Sequence, residues 1–82
     1  MMIPLKECVR LQNPAGPPSV STRDIFVNIN HIVTMIDCTD GFHPDANSCI
    51  TVSMGDTNKK LYVVESLKQI KNSMNTKELL NG

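Results

Sequence analysis

The chain has no tryptophan, one tyrosine and two phenylalanines among its 82 residues. Aromatic side chains supply many binding hot spots and the platforms on which single-stranded bases stack. Their scarcity therefore disfavours a surface that recognises nucleic acid by stacking. A membrane-spanning helix needs about 20 consecutive apolar residues. The chain has no apolar run approaching that length, so we expect no membrane partner.

Net charge is lacking too, because eight acidic and eight basic side chains balance to zero. A neutral chain is not drawn to polyanions by its overall field. Locally, residues 37–56 contain no lysine or arginine, whereas residues 59–77 contain five lysines. This asymmetry is typical of two solvated faces. Alternatively, it would steer self-assembly or the approach of a partner.

The three cysteines form no Cys-x-x-Cys pair and are odd in number. An odd count, without a secretory leader, predicts a reducing, cytoplasmic setting. Cys38, His43 and Cys49 are ligand types that zinc accepts, but their spacing fits no common zinc motif. Buried or half-buried thiols are the ordinary alternative, so a metal role for these three side chains stays open.

The chain also lacks the patterns that catalysis and cofactor binding require. A Cys–His pair such as Cys38 with His43 has no glycine-rich oxyanion loop beside it. We interpret residues 1–82 as a single domain, and a β domain of this size leaves little room for a substrate pocket. We therefore predict a protein that is not an enzyme and binds no cofactor.

What the chain does contain is a succession of short β-prone runs separated by turn residues. Four such runs are rich in residues that favour strands; they are residues 24–27, 31–38, 49–54 and 61–64. A fifth and less regular run, residues 5–11, is interpreted as an edge strand.

Side-chain alternation predicts how two of these runs are buried. Between residues 49 and 54 the alternation is strict, so Ile50, Val52 and Met54 are expected to face a core and Cys49 the solvent. Between residues 31 and 38 apolar side chains fall at both parities. That pattern predicts burial on both faces, or a sheet that curls tightly on itself.

Loops and one helix complete the pattern. Residues 13–22 hold three prolines and a glycine and are predicted to be a proline-rich surface loop. Ser66 followed three places later by Gln69 fits a capping box. Leu67, Ile70 and Met74 then form a stripe that packs a helix on the sheet. Residues 75–82 are predicted to add a helical turn or to fray.

These elements predict a mainly β fold, or small α+β domain, made of a strongly curled antiparallel meander with a C-terminal helix. A small SH3- or Sm-like barrel of four or five strands is the more specific form of this prediction. A sheet this small has edges that need covering. We therefore expect a homo-oligomer.

Parts of the chain resemble the flagellar-operon FlbD-like family. Met2-Ile3-Pro4-Leu5 is similar to the start of that family, and Ile50-Thr51-Val52 with Gly55 to its third element. Tyr62-Val63-Val64-Glu65-Ser66 is similar to the run that leads into its final helix. This chain differs in its proline loop and in a longer acidic loop at residues 39–48. The resemblance implies a non-enzymatic, β-rich protein of bacterial or phage origin, without a ligand or catalytic residue.

Two functional hypotheses follow from these patterns. The first is a non-catalytic accessory or interaction protein, bacterial or phage, which acts through self-association or a protein partner. The alternative is a small RNA- or single-strand-binding module of Sm or OB type. The surface for nucleic acid, or for a partner, would then be formed by Lys59, Lys60, Lys68 and Lys71.

Overall fold

The computed structural model describes the backbone of residues 1–81 and the side chains of residues 1–75. It contains five antiparallel strands in one sheet and a C-terminal helix, which confirms the mainly β fold. The elements are β1 (Met2–Leu11), β2 (Ser19–Asn28), a 3-10 turn (Ile29–His31), β3 (Ile32–Asp37), β4 (Ser48–Ser53), β5 (Asn58–Val63) and α1 (Leu67–Asn81). The backbone of α1 continues to Asn81. The side chains of residues 76–82, which make up most of the tail predicted at residues 75–82, lie outside the described residues.

The sheet has the strand order β2-β1-β5-β4-β3. β1 and β2 pair along their whole length, whereas β1 meets β5 through one bridge, between Glu7 and Val63. A backbone bond of 2.9 Å from the Val64 N–H to the Lys6 carbonyl supports that bridge. β2 and β3 are the two ends and do not pair, so the sheet is open and the SH3- or Sm-like barrel is not confirmed.

The sequence predicts the first strand at an edge, but β1 lies between β2 and β5. Its charges are tolerated there because β2 offers opposite charges directly across the pair. Lys6 Nζ lies 3.0 Å from Asp24 Oδ1, and Arg23 Nε lies 2.7 Å from Glu7 Oε1. Cross-strand pairs of this kind stabilise a sheet by about 0.2–1 kcal/mol each.

β2 is also longer than the sequence predicts. It begins at Ser19, so the proline-rich loop does not extend to residue 22. Serine and threonine dominate the first half of β2, and all of its first six residues are exposed. Because neither face of that half is buried, no apolar alternation marks it in the sequence.

One face of the sheet, here called the core face, carries the hydrophobic core. Its buried side chains are Ile3, Leu5, Val27, Ile50, Val52, Leu61, Val63 and Ile70. α1 packs against the β3 side of this face, where Ile70 is buried and Met74 is partly buried. Among the described residues, no helix has the length and apolarity to cross a membrane.

The predicted capping box is present at the start of α1. The Gln69 N–H donates to Ser66 Oγ at 3.2 Å, and the Ser66 N–H donates to Gln69 Oε1 at 2.8 Å. These reciprocal bonds satisfy two amides that the first helical turn leaves without partners. The helix therefore begins at Leu67, as predicted.

The burial predicted for Met54 and for both faces of β3 is wrong. Met54 is 60% exposed, because β4 ends at Ser53 and the chain turns at Gly55, whose φ is +88°. β3 is not buried on both faces. It is an end strand with an irregularity between Ile32 and Thr34, and its Ile36 is 56% exposed.

Candidate functional site

The long loop between β3 and β4 folds over the sheet face opposite the core face, here called the back face. Phe42 stacks on Tyr62 with ring centroids 4.1 Å apart, and the Tyr62 hydroxyl donates to Asp40 Oδ2 at 2.7 Å. Cys49 and Cys8 are buried on this face. The expected exposure of Cys49 is therefore wrong, because the loop shields its side of β4.

His43 fastens this loop to β2. The Asp45 N–H lies 3.0 Å from His43 Nδ1, and His43 Nε2 lies 3.0 Å from the Ser21 carbonyl. An amide N–H only donates, so Nδ1 is the acceptor and Nε2 carries the proton. His43 is 4% exposed. Both ring nitrogens are therefore occupied, which leaves neither available to zinc.

The buried thiols have environments that suppress their reactivity. Burial raises the pKa of Cys8 to about 11, and burial is also the main cause of the raised pKa of Cys49. A thiol must lose its proton to act as a nucleophile or metal ligand. Within the described residues, no group of three or more His, Cys, Asp or Glu side chains is placed to hold a metal ion. Cys8 and Cys49 are thus buried side chains that stay protonated near neutral pH.

The structure does not bring the four predicted lysines together. Lys59 and Lys60 are neighbours on β5, so their side chains point to opposite faces. Lys60 Nζ lies over the Tyr62 ring, 5.1 Å from its centroid, while Lys59 borders the core face. Lys68 and Lys71 are exposed on α1. A single basic surface of the four side chains is thus not formed.

Tyr62, the aromatic residue nearest to these lysines, is already engaged. Its ring stacks on Phe42 and its hydroxyl is bonded to Asp40. That bond is the main cause of the raised pKa of Tyr62, because loss of the phenolic proton would place two negative charges side by side. The stacked pair offers no open gap for a nucleotide base.

The edge formed by Ser19–Asn28, here called the β2 edge, is the least protected part of the sheet. Exposed edges in natural proteins are usually interrupted by bulges or prolines. β2 contains no proline and pairs with β1 in an unbroken register. Two large apolar side chains stand on it, Val20 at 47% exposure and Phe26 at 69%. β3, at the opposite end, is irregular.

A groove lies on each side of the β2 edge. The groove on the core face has a volume of about 450 Å³, and its lining includes Ile25, Val27, Val52 and Leu61. The groove on the back face has a volume of about 460 Å³, and its lining includes Pro4, Lys6, Asp24 and Glu65. Ile25 and Phe26 border both grooves.

The turn between β5 and α1 holds the back-face groove in shape. The Lys6 N–H lies 3.0 and 3.2 Å from the two Glu65 carboxylate oxygens, and Ser48 Oγ donates to the Glu65 carbonyl at 2.7 Å. Glu65 thereby ties β1 to β4. These contacts give a structural role to the segment that carries the resemblance to the FlbD-like family.

Sequence reasoning missed the β2 edge, although Phe26 lies in a run that it recognised as a strand. The missing signal was the length of the strand, since its polar first half resembles a loop. The resemblance to the FlbD-like family stays a prediction. No family model, curated protein or solved structure matches the chain significantly, so the candidate site is assigned from its geometry.

Proposed function

We propose that the protein is a small non-catalytic interaction protein that binds another polypeptide along the β2 edge. The observation that carries this proposal is a regular, unpaired edge strand with a groove on each face. A segment that pairs with such an edge bonds to its backbone and places alternate side chains above and below the sheet. The two grooves match those alternate positions.

The exposed side chains give this contact an energetic basis. Burying one large apolar side chain contributes about 1.5–3 kcal/mol, and both Phe26 and Val20 are available. Each new backbone hydrogen bond adds about 0.5–1.5 kcal/mol net. Because association costs at least about 4 kcal/mol in lost freedom, the expected complex is specific but of modest affinity.

The proposed setting is the cytoplasm. Cys8 and Cys49 are free thiols that lie buried on the back face, and Cys38 is a free thiol that is half-buried. Free thiols that take part in packing are compatible with a reducing compartment, where they are not oxidised.

Binding of RNA or single strands is the alternative function, through Lys59, Lys60, Lys68 and Lys71. Two observations count against this alternative. Lys59 and Lys60 lie on different faces of the sheet, and the ring of Tyr62 is stacked on Phe42. Replacement of all four lysines by glutamine tests it. If the alternative holds, the salt dependence of oligonucleotide binding becomes flatter in the variant. Undetectable binding of mixed oligonucleotides by the wild-type chain at low salt would exclude it.

The main proposal is tested by photo-crosslinking at the β2 edge. We expect p-benzoylphenylalanine in place of Phe26 to form adducts with a polypeptide in cells that express the chain. The matched control places the same group at Ile36, which is similarly exposed but lies on β3. Mass spectrometry of the adducts identifies the partner. Equal yields at the two positions, or none at position 26, would contradict the proposal.

A further inference from the structure

We infer that the polypeptide bound at the β2 edge is the β2 edge of a second copy of this chain, in an antiparallel pairing centred on Arg23. This inference rests on the proposed function, because it names the partner for the same surface. The pairing joins two five-stranded sheets into one continuous sheet across a two-fold axis.

The apolar side chains of the β2 edge determine this register. Val20 and Phe26 lie on the back face at equal distances in sequence from Arg23. Antiparallel pairing about Arg23 therefore sets Val20 of each copy against Phe26 of the other, and this pair occurs twice. A cross-strand pair of an aromatic and a β-branched residue stabilises a sheet by about 0.2–1 kcal/mol. Each pair also covers two exposed apolar side chains.

The charges of the edge are compatible with this register. Arg23 meets its own copy at the centre, but each Arg23 is already bonded to Glu7 at 2.7 Å. Asp24, which is paired with Lys6, meets Thr22 of the second copy. A register centred on Asp24 would instead set two carboxylates face to face and oppose Phe26 to Thr22. The centre at Arg23 is therefore favoured.

The backbone of β2 is in the correct phase for this pairing. The Lys6 carbonyl accepts a bond from Val64 on the β5 side, so the backbone groups of Glu7 point toward β2. In an antiparallel ladder these groups alternate. Arg23, opposite Glu7, thus bonds to β1, while Thr22 and Asp24 direct their N–H and C=O groups outward. In the proposed register they face each other across the dimer.

The chain is more elongated than a compact domain of its length. Its radius of gyration is 13.9 Å and its extents are 52 × 28 × 21 Å. A compact domain of this length has a radius of gyration of about 12 Å. The first six residues of β2, next to the hairpin loop, are exposed. In the dimer this segment lies beside Phe26 of the other copy. The paired edge is about 30 Å long at 3.3 Å per residue. A contact through one pair of strands is small, so we expect a dimer that dissociates on dilution.

Analytical ultracentrifugation over a concentration series tests the inference. We expect a monomer–dimer equilibrium in the wild-type chain. Phe26→Lys should weaken it by more than about tenfold, because two side chains lose their burial. Thr22→Pro should also weaken it, since it removes an outward N–H and no bond to β1. Ile36→Lys on β3 is the matched control and should leave the equilibrium unchanged.

The register is tested by disulfide capture. Arg23→Cys in a Cys38→Ser background should form a covalent dimer on mild oxidation, because the two central residues form a non-hydrogen-bonded pair about 4.5 Å apart. Asp24→Cys in the same background should react far less. Preferential capture at position 24 would overturn the register.

The outcomes separate this inference from the proposed function. A chain that stays monomeric, while position 26 crosslinks to a different protein, overturns the second-copy inference and leaves the proposed function standing. A chain that is monomeric and gives no adduct at position 26 overturns both. A dimer that Ile36→Lys abolishes and Phe26→Lys does not would place the contact on β3 and overturn the inference.

Discussion

Replacement of His43 by alanine tests whether the β3–β4 loop is a structural layer of the domain. The imidazole is 4% exposed and is bonded through both nitrogens, to the Asp45 N–H and the Ser21 carbonyl. Alanine removes both bonds and leaves a void beneath the loop. We therefore expect a lower free energy of unfolding.

The expected loss follows from these contacts. Each hydrogen bond contributes about 1 kcal/mol net, and the removed ring atoms leave a cavity that costs about 1 kcal/mol more. The sum is about 2–3 kcal/mol. A chain of this length has a total stability of roughly 4–12 kcal/mol. The melting temperature should therefore fall by about 10–20 °C.

Urea unfolding followed by circular dichroism measures this loss directly. His31→Ala is the matched control, because His31 is an exposed histidine in the 3-10 turn. The control should unfold within about 0.5 kcal/mol of the wild-type chain. If His43→Ala is equally neutral, the loop contributes nothing to the fold and the assigned role of His43 is wrong.

Three further predictions concern the helix cap and the back face. Ser66→Ala should lower the free energy of unfolding by about 1 kcal/mol, whereas an unchanged urea midpoint would refute the cap. Asp40→Ala should lower the pKa of Tyr62, because the hydrogen bond to Asp40 is the main cause that raises it. Phenolate absorbance measures the titration of Tyr62 alone, since the chain has one tyrosine and no tryptophan. The pKa of Cys8 rises from 9.0 to about 11 on folding, so the unfolded chain loses its proton first and stability should fall as pH rises between these values. A Cys8→Ser variant should show a smaller fall, because Cys49 keeps its own raised pKa; comparison of thermal melts across this pH range would detect the difference.

Local patterns in the sequence predicted the elements whose local chemistry is strong. The capping box placed the start of α1 at Leu67, and alternation at Ile50 and Val52 identified a core strand. Met54 follows the same alternation and is nevertheless exposed, because the strand ends one residue earlier. Periodicity identifies a face only while the strand continues.

Contacts distant in sequence were not predicted. β1 lies inside the sheet because Asp24 and Arg23 neutralise its charges, and these partners lie across a loop. Cys49 is buried because a loop that reads as solvated acidic chain is held down by His43. In both cases the sequence shows a polar residue but not the group that satisfies it.

The candidate site shows the same division. Lysines are conspicuous in the sequence, whose pattern predicts that Lys59, Lys60, Lys68 and Lys71 share one surface. Alternation along β5 separates Lys59 from Lys60, so their proximity in sequence does not bring them together in space. Phe26, by contrast, became a candidate only when β2 was seen to be an unpaired edge.

The sequence by itself determined the β-prone runs and the capped helix, because these depend on neighbours within a few positions. Tertiary structure alone decided which strand lies at the edge, which apolar side chains stay exposed and which polar groups are paired. Those outcomes depend on how the β1–β2 hairpin and the β3–β4–β5 unit meet at the Glu7–Val63 bridge. The packing of these two units is stabilised by side chains that are far apart in the sequence, so no local sequence pattern predicts it.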